Sequence, residues 1–148
     1  MIPKTTDATK ISQVNREWHE FDLKDQTLGR AATKIAQLLM GKNKSYFVRN
    51  LDCGDYVVVT NASDFITTGN KEKLKVYTNY SGYPGGLRKE TLGKLKNRRP
   101  EEVIRHAVSG MLPKNKLRAK MLKRLHVFTT SEHMYAEKFV KKEELSSK

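Results

Sequence analysis

Residues 56–60 read Tyr-Val-Val-Val-Thr, with apolar or β-branched side chains at every position and no polar alternation. A strand of that kind is apolar on both faces and must be covered on both, as in the interior of an α/β sheet. Upstream, Trp18–Leu23 alternates well enough for a short strand. Leu28, Ala31, Ala32, Ile35, Leu38 and Leu39 then recur on one face at helical spacing. Thr27 stands where an N-cap belongs and Gly41 where a left-handed C′ residue belongs, so the spacing predicts a helix over 28–40. Strand, amphipathic helix and buried strand in succession form a βαβ unit. The stretch between Met40 and Tyr56 carries Lys42, Lys44 and Arg49 and reads as a basic loop.

Downstream, Phe65–Thr67 is a short strand candidate and Gly69-Asn70 a turn. Leu74, Val76, Thr78 and Tyr80 alternate with Lys75, Tyr77 and Asn79, which predicts a strand over 74–80. Ser81–Gly86 is a loop by composition. Pro100 suits the first position of a helix, and Glu101 and Glu102 complement its N-terminal dipole. Val103, Ile104, Ala107, Val108 and Met111 form that helix's apolar stripe. A second helix is expected from about Asn115 to Arg124, with Leu125–Phe128 as a last strand. The expected fold is an α/β class, three-layer α/β/α domain around a small, mostly parallel or mixed sheet, with a basic helical segment laid across or beside it. Residues 1–15 read as a polar arm, 16–140 as one domain and 141–148 as a frayed polar tail.

Charge says what such a domain meets. Residues 88–124 hold 13 of the chain's 29 Lys and Arg against three acids, a net +10 of the total +13. Neutralising phosphates releases counterions, so a block this dense points to a nucleic acid partner. Lys116, Lys120 and Lys123 repeat at i, i+4 and i+7, broadened by Arg124, beside an apolar stripe of Leu117, Met121, Leu122 and Leu125. One face of that helix packs while the other meets phosphates. No aromatic residue lies between 88 and 124, so phosphate and shape recognition of structured RNA or duplex fits better than base stacking there. Tyr77, Tyr80 and Tyr83 flank the glycine loop, where they either stack on bases or pack the sheet edge.

Other chemistries find little support. Gly82, Gly85 and Gly86 match neither a dinucleotide fingerprint nor a P-loop. His19, His106, His126 and His133 are scattered, and none pairs at metal-ligand spacing with the lone Cys53. No cofactor, small-molecule substrate or membrane partner is implied, since no apolar run approaches a bilayer span. One cysteine and no visible signal peptide fit a reducing, cytoplasmic setting.

Several segments together carry a resemblance. Gly54–Val59, Asn61-Ala62, Thr68–Lys71, Lys75–Tyr77, Gly82–Gly86, Arg99–Glu101 and Ala107–Asn115, with Trp18, Asp22, Thr27–Arg30 and Gly41-Lys42 upstream, resemble the bacterial-type large-subunit ribosomal protein L-thirteen family over about residues 16–128. The resemblance implies a non-enzymatic component of the large ribosomal subunit that binds large-subunit rRNA directly and early in assembly, beside neighbouring large-subunit proteins. It places the chain in the cytoplasmic ribosome and leaves an organellar ribosome open. Under that resemblance Gly82, Gly85 and Gly86 let backbone approach RNA closely. Lys42, Lys44, Lys71, Arg88, Arg98 and Arg99 join Lys114, Lys116, Lys120, Lys123 and Arg124 as phosphate contacts. The C-terminus departs from the family, keeping His133 and Ala136 but carrying Tyr135 and Glu137 where His and Gln are usual. The competing readings are an RNA-processing or modifying enzyme and a free regulatory RNA-binding protein. Neutralising Lys116, Lys120, Lys123 and Arg124 together is expected to lower the salt slope of RNA binding by several units.

Overall fold

The computed structural model describes residues 10–139, so most of the expected arm and the whole expected tail lie outside the described residues. After a 3₁₀ turn at Ile11–Gln13, the order is β1 (Trp18–Asp22), α1 (Leu28–Met40), β2 (Tyr56–Thr60), α2 (Lys71–Leu74), β3 (Val76–Tyr80), β4 (Leu87–Thr91), α3 (Leu92–Arg98), α4 (Pro100–Met111), α5 (Arg118–Lys123) and β5 (Leu125–Val127). Strands β1, β2 and β5 form a parallel sheet with β2 at its centre, while β3 and β4 form a separate antiparallel hairpin. The architecture is α/β with a mixed set of strands.

The central strand is apolar throughout because both of its faces are covered. On one face Val57, Val59, Leu125 and Val127 join Ile35 and Leu39 of α1 and Val103, Ile104 and Val108 of α4 in a single buried cluster. The opposite face carries an aromatic stack, with Trp18 and Tyr56 rings 4.4 Å apart and nearly parallel. His126, on the same face in β5, stacks on Trp18, and Tyr135 and Phe139 close over the same indole. Lys138 sets its ammonium 4.4 Å above the Trp18 ring. Burial, with Arg105 and Lys138 nearby, holds the His126 imidazolium pKa below its ordinary range. The second covering layer is thus the segment leading to residue 139, and the departed position Tyr135 supplies one of its rings.

Helix α1 follows the spacing closely. Its apolar face is buried, and Gly41 ends it at φ 76°, its N–H donating to Gln37 and Leu38 carbonyls. Thr27 makes no side-chain cap; it is instead held by a parallel bridge to Ile66, the one remnant of the strand expected at 65–67. Pro100 opens α4 as expected. Other expectations need correction. Residues 71–74 form a helical turn, so the strand begins at Val76. Residues 87–98, left unassigned in sequence, are β4 and α3, with Leu92 and Leu95 anchoring the hairpin to the core. Met111 is 40% exposed because α4 stops there and turns at Leu112-Pro113. The last helix is only Arg118–Lys123, which leaves Lys114 and Lys116 in the preceding turn.

A polar knot joins the C-terminus of α1 to the start of β2 and to β5. Arg124, 6% exposed, makes a bidentate ion pair with Asp52. It also donates to the carbonyls of Asp55 and Leu39, each at 3.3 Å. The Asp55 N–H donates to Leu38 O at 3.1 Å, which also accepts from Gly41, so two carbonyls at the end of α1 are met from outside the helix. Gly54 makes the approach possible: a Cβ there would stand 1.7 Å from Leu39 O. Gly54→Ala must therefore separate the loop from α1. We expect it to cost about 3 kcal/mol, an overpacking penalty, and to lower Tm by roughly 10 °C in thermal unfolding followed by circular dichroism.

Candidate nucleic-acid interface

The cations expected to meet RNA fall into two groups. Lys44 and Arg124 face inward. The Lys44 ammonium lies against Asp55, Asn15 O and Cys53 O with its side chain 13% exposed, and Arg124 is consumed by the knot described above. Each is already engaged with a carboxylate, Lys44 with the buried Asp55 and Arg124 with the mostly buried Asp52. In this structure these two hold up the surface from beneath. Asp55 receives the Lys44 ammonium, the Glu17 N–H at 2.9 Å and His19 Nε2 at 3.2 Å. Burial alone would raise the Asp55 pKa, but the hydrogen bonds from His19, Glu17 and Lys44 outweigh it and hold the carboxyl below its ordinary value.

Facing outward are Lys42, Lys71, Arg88, Lys114, Lys116, Lys120 and Lys123, all exposed and none paired with an acid among the described residues. Arg49 belongs with them, on the same loop as Lys42. Arg98 and Arg99 are intermediate cases. Both guanidinium groups are more than half exposed, yet Arg98 bonds Glu90 at 2.6 Å and Arg99 bonds Glu102 at 2.7 Å. The hydrogen bond from Arg99, set against slight burial, leaves the Glu102 carboxyl below its ordinary pKa. Exposed pairs of this kind are worth little and exchange readily for a phosphate.

The glycine loop caps the β3–β4 hairpin. Gly82 and Gly85 have φ of 88° and 73° with open space where a Cβ would point, so their backbone is accessible. Gly86 is different. A Cβ there would meet Ser81 Oγ at 2.1 Å and Tyr83 O at 2.9 Å, so its glycine closes the hairpin. Tyr80 and Tyr83 project at the tip, 61% and 75% exposed, while Tyr77 packs inward against His106. The alternatives left open by sequence divide accordingly, with two tyrosine rings exposed at the hairpin tip and one packed against α4.

Sequence reasoning missed Arg118, whose guanidinium bonds Ser109 and ties α5 to α4. It also missed Arg16, which donates to Gly54 O at 2.8 Å and Asp52 O at 3.1 Å. No local pattern marks either, since both partners are distant in the chain or across a turn. Among the described residues no three of His, Cys, Asp or Glu gather to hold a metal, and no helix is long and apolar enough to cross a membrane.

An α/β scaffold that ties up the charges of its knot and leaves unpaired cations on the loop after α1, on the hairpin, in the α4–α5 turn and on α5 is that of a polyanion-binding protein. The family profile described as Ribosomal protein L13 matches residues 16–134. The large ribosomal subunit protein uL13 of Dehalococcoides mccartyi is 48% identical over 131 residues, covering 88% of this chain and 92% of that one. Those of Geobacter sp. strain M21 and Syntrophotalea carbinolica are 47% and 46% identical, covering 88% and 89% of this chain and 92% and 93% of theirs. This chain belongs to the ribosomal protein L13 family.

Three outcomes follow. Replacing Lys114, Lys116, Lys120 and Lys123 together by Gln is expected to lower the slope of log K against log salt for RNA binding by about 3. Arg124→Gln should leave that slope alone and cost roughly 3 kcal/mol in denaturant unfolding, by stranding Asp52. Asp55, with its folded-state pKa below 3.8, adds stability that is complete above the unfolded value. That stability fades as pH falls through the folded value. In an acid titration of stability, Asp55→Asn should accordingly flatten the loss below about pH 4.

Proposed function

We propose that this protein is a structural constituent of the large ribosomal subunit, binding large-subunit rRNA directly and supporting early subunit assembly from a cytoplasmic ribosome. Its action is electrostatic. RNA helices repel each other until cationic side chains sit between them, and a rigid α/β body holds those side chains at fixed separations. The observation that carries the reading is the segregation of charge in a member of this family. The acids at the knot are used up internally, while Lys114, Lys116, Lys120 and Lys123 project without acidic partners among the described residues.

Phosphate contacts by Lys42, Lys71, Arg88, Lys114, Lys116, Lys120 and Lys123 follow from that arrangement, with Arg98 and Arg99 released from Glu90 and Glu102 when RNA arrives. The backbone of Gly82 and Gly85 presents a further close-approach surface. The role is structural, not catalytic. In native lysate sedimented through sucrose at moderate and then high salt, the protein is expected to remain with the large subunit after the high-salt wash. Migration near the top of both gradients would show that this family member serves elsewhere.

A further inference from the structure

Between the loop after α1 and the α4–α5 turn lies a cleft of about 400 Å³. Its floor is apolar, built from the buried Leu112 and Met121. Phe47 forms one wall and Met111, 40% exposed, the other. Its polar rim is Lys42, Arg49 and Asn115, with Lys114 next in sequence and no acid lining it. We infer that this cleft receives one unstacked rRNA nucleotide, its base against Phe47 and its phosphate on Lys42 and Arg49. The inference rests on the rRNA-binding reading above and names a site within it.

The walls are held before any ligand arrives. On the loop side, Lys44 N–H donates to Gly41 O and Phe47 N–H to Lys44 O, both at 3.1 Å, while the Lys44 side chain is pinned at Asp55. On the other side Leu112 N–H caps Val108 O at 3.1 Å, and Arg118 N–H bonds both Asn115 O and Asn115 Oδ1. With Oδ1 occupied, Asn115 presents its Nδ2 as a donor, which suits a base carbonyl or ring nitrogen. Phe47 is only partly buried and lines the cleft, so part of its ring surface is turned to the space a base would fill.

Charge selects a nucleotide over an apolar protein side chain. A protein residue would fill the floor but give Lys42, Arg49 and Lys114 nothing to neutralise. A nucleotide answers both parts, a planar apolar base and an anion, and base–aromatic stacking tolerates any base.

Wild-type protein bound to transcribed large-subunit rRNA should be cross-linked by ultraviolet light and its peptides mapped by mass spectrometry. Nucleotide adducts at Phe47, Met40 or Met111 are the expected result. Adducts confined to the hairpin or α5, with binding intact, would overturn the cleft and leave the rRNA reading standing. Failure to retain rRNA at all would overturn that reading instead. In parallel, Phe47→Ala should weaken rRNA binding about tenfold or more without altering the salt slope, and Phe47→Trp should restore it. Lys42→Gln with Arg49→Gln should lower the slope by between about one and two. If Phe47→Ala melts early, the wild-type cross-link decides. A lysine cross-linker joining Lys42 or Lys114 to a neighbouring protein in whole subunits, with no nucleotide adduct in the cleft, would show a protein occupant and sink the proposal.

Discussion

Arg124 touches two stretches of chain far from its own position: the loop just before β2, at the Asp52 carboxylate and the Asp55 carbonyl, and the end of α1, at Leu39 O. It immediately precedes β5, and its own carbonyl accepts the Val57 N–H at 3.1 Å. The βαβ unit and the strand that completes its sheet therefore meet at a single guanidinium. A lysine could not substitute. Only a planar fork delivers two parallel bonds to a carboxylate while a further N–H reaches a carbonyl on the opposite side. The positive charge also lies at the negative end of the α1 dipole, where it is favourable. Gly54 is the steric condition for all of this, because any side chain there would occupy the space of the Leu39 carbonyl.

That knot explains how a chain with net charge +13 assigns its cations two jobs. Lys44, Arg16 and Arg124 balance Asp52 and Asp55, so the acids beneath the loop after α1 are spent before RNA is met. What remains outside is nearly unopposed positive charge on loops and turns, mounted on elements that packing holds still. The site's electrostatics are set from below, by pairs that lie largely beneath the surface.

The strongest periodicities were legible in sequence: α1, β2 and α4 appear where the apolar spacing placed them, and the basic block marked the functional class. The hairpin's second strand was not. Leu87–Thr91 is exposed on most of its length and shows no alternation, because it pairs only with β3 and packs little. The inward turn of Lys44 and Arg124 was hidden for a different reason. Their partners lie 11 and 72 residues away, and a basic residue in a basic segment gives no sign of which way it faces. Gly86 posed a similar problem, sharing a loop with two open glycines yet sitting where a Cβ would meet Ser81 and Tyr83.

The aromatic layer over Trp18 has a bearing on how the chain comes into being. Its rings come from opposite ends of the sequence, Trp18 and Tyr56 early, His126, Tyr135 and Phe139 late. β5, at one edge of the sheet, is also late. A chain emerging from its N-terminus has β1, α1, β2 and Arg16 available but lacks Arg124, the bidentate partner of Asp52, and the rings that dry the sheet's second face. Closure of long loops precedes the contacts that reward it. The lysines of the α4–α5 turn are thus exposed to solvent, and to any RNA nearby, before the body that will aim them has been completed.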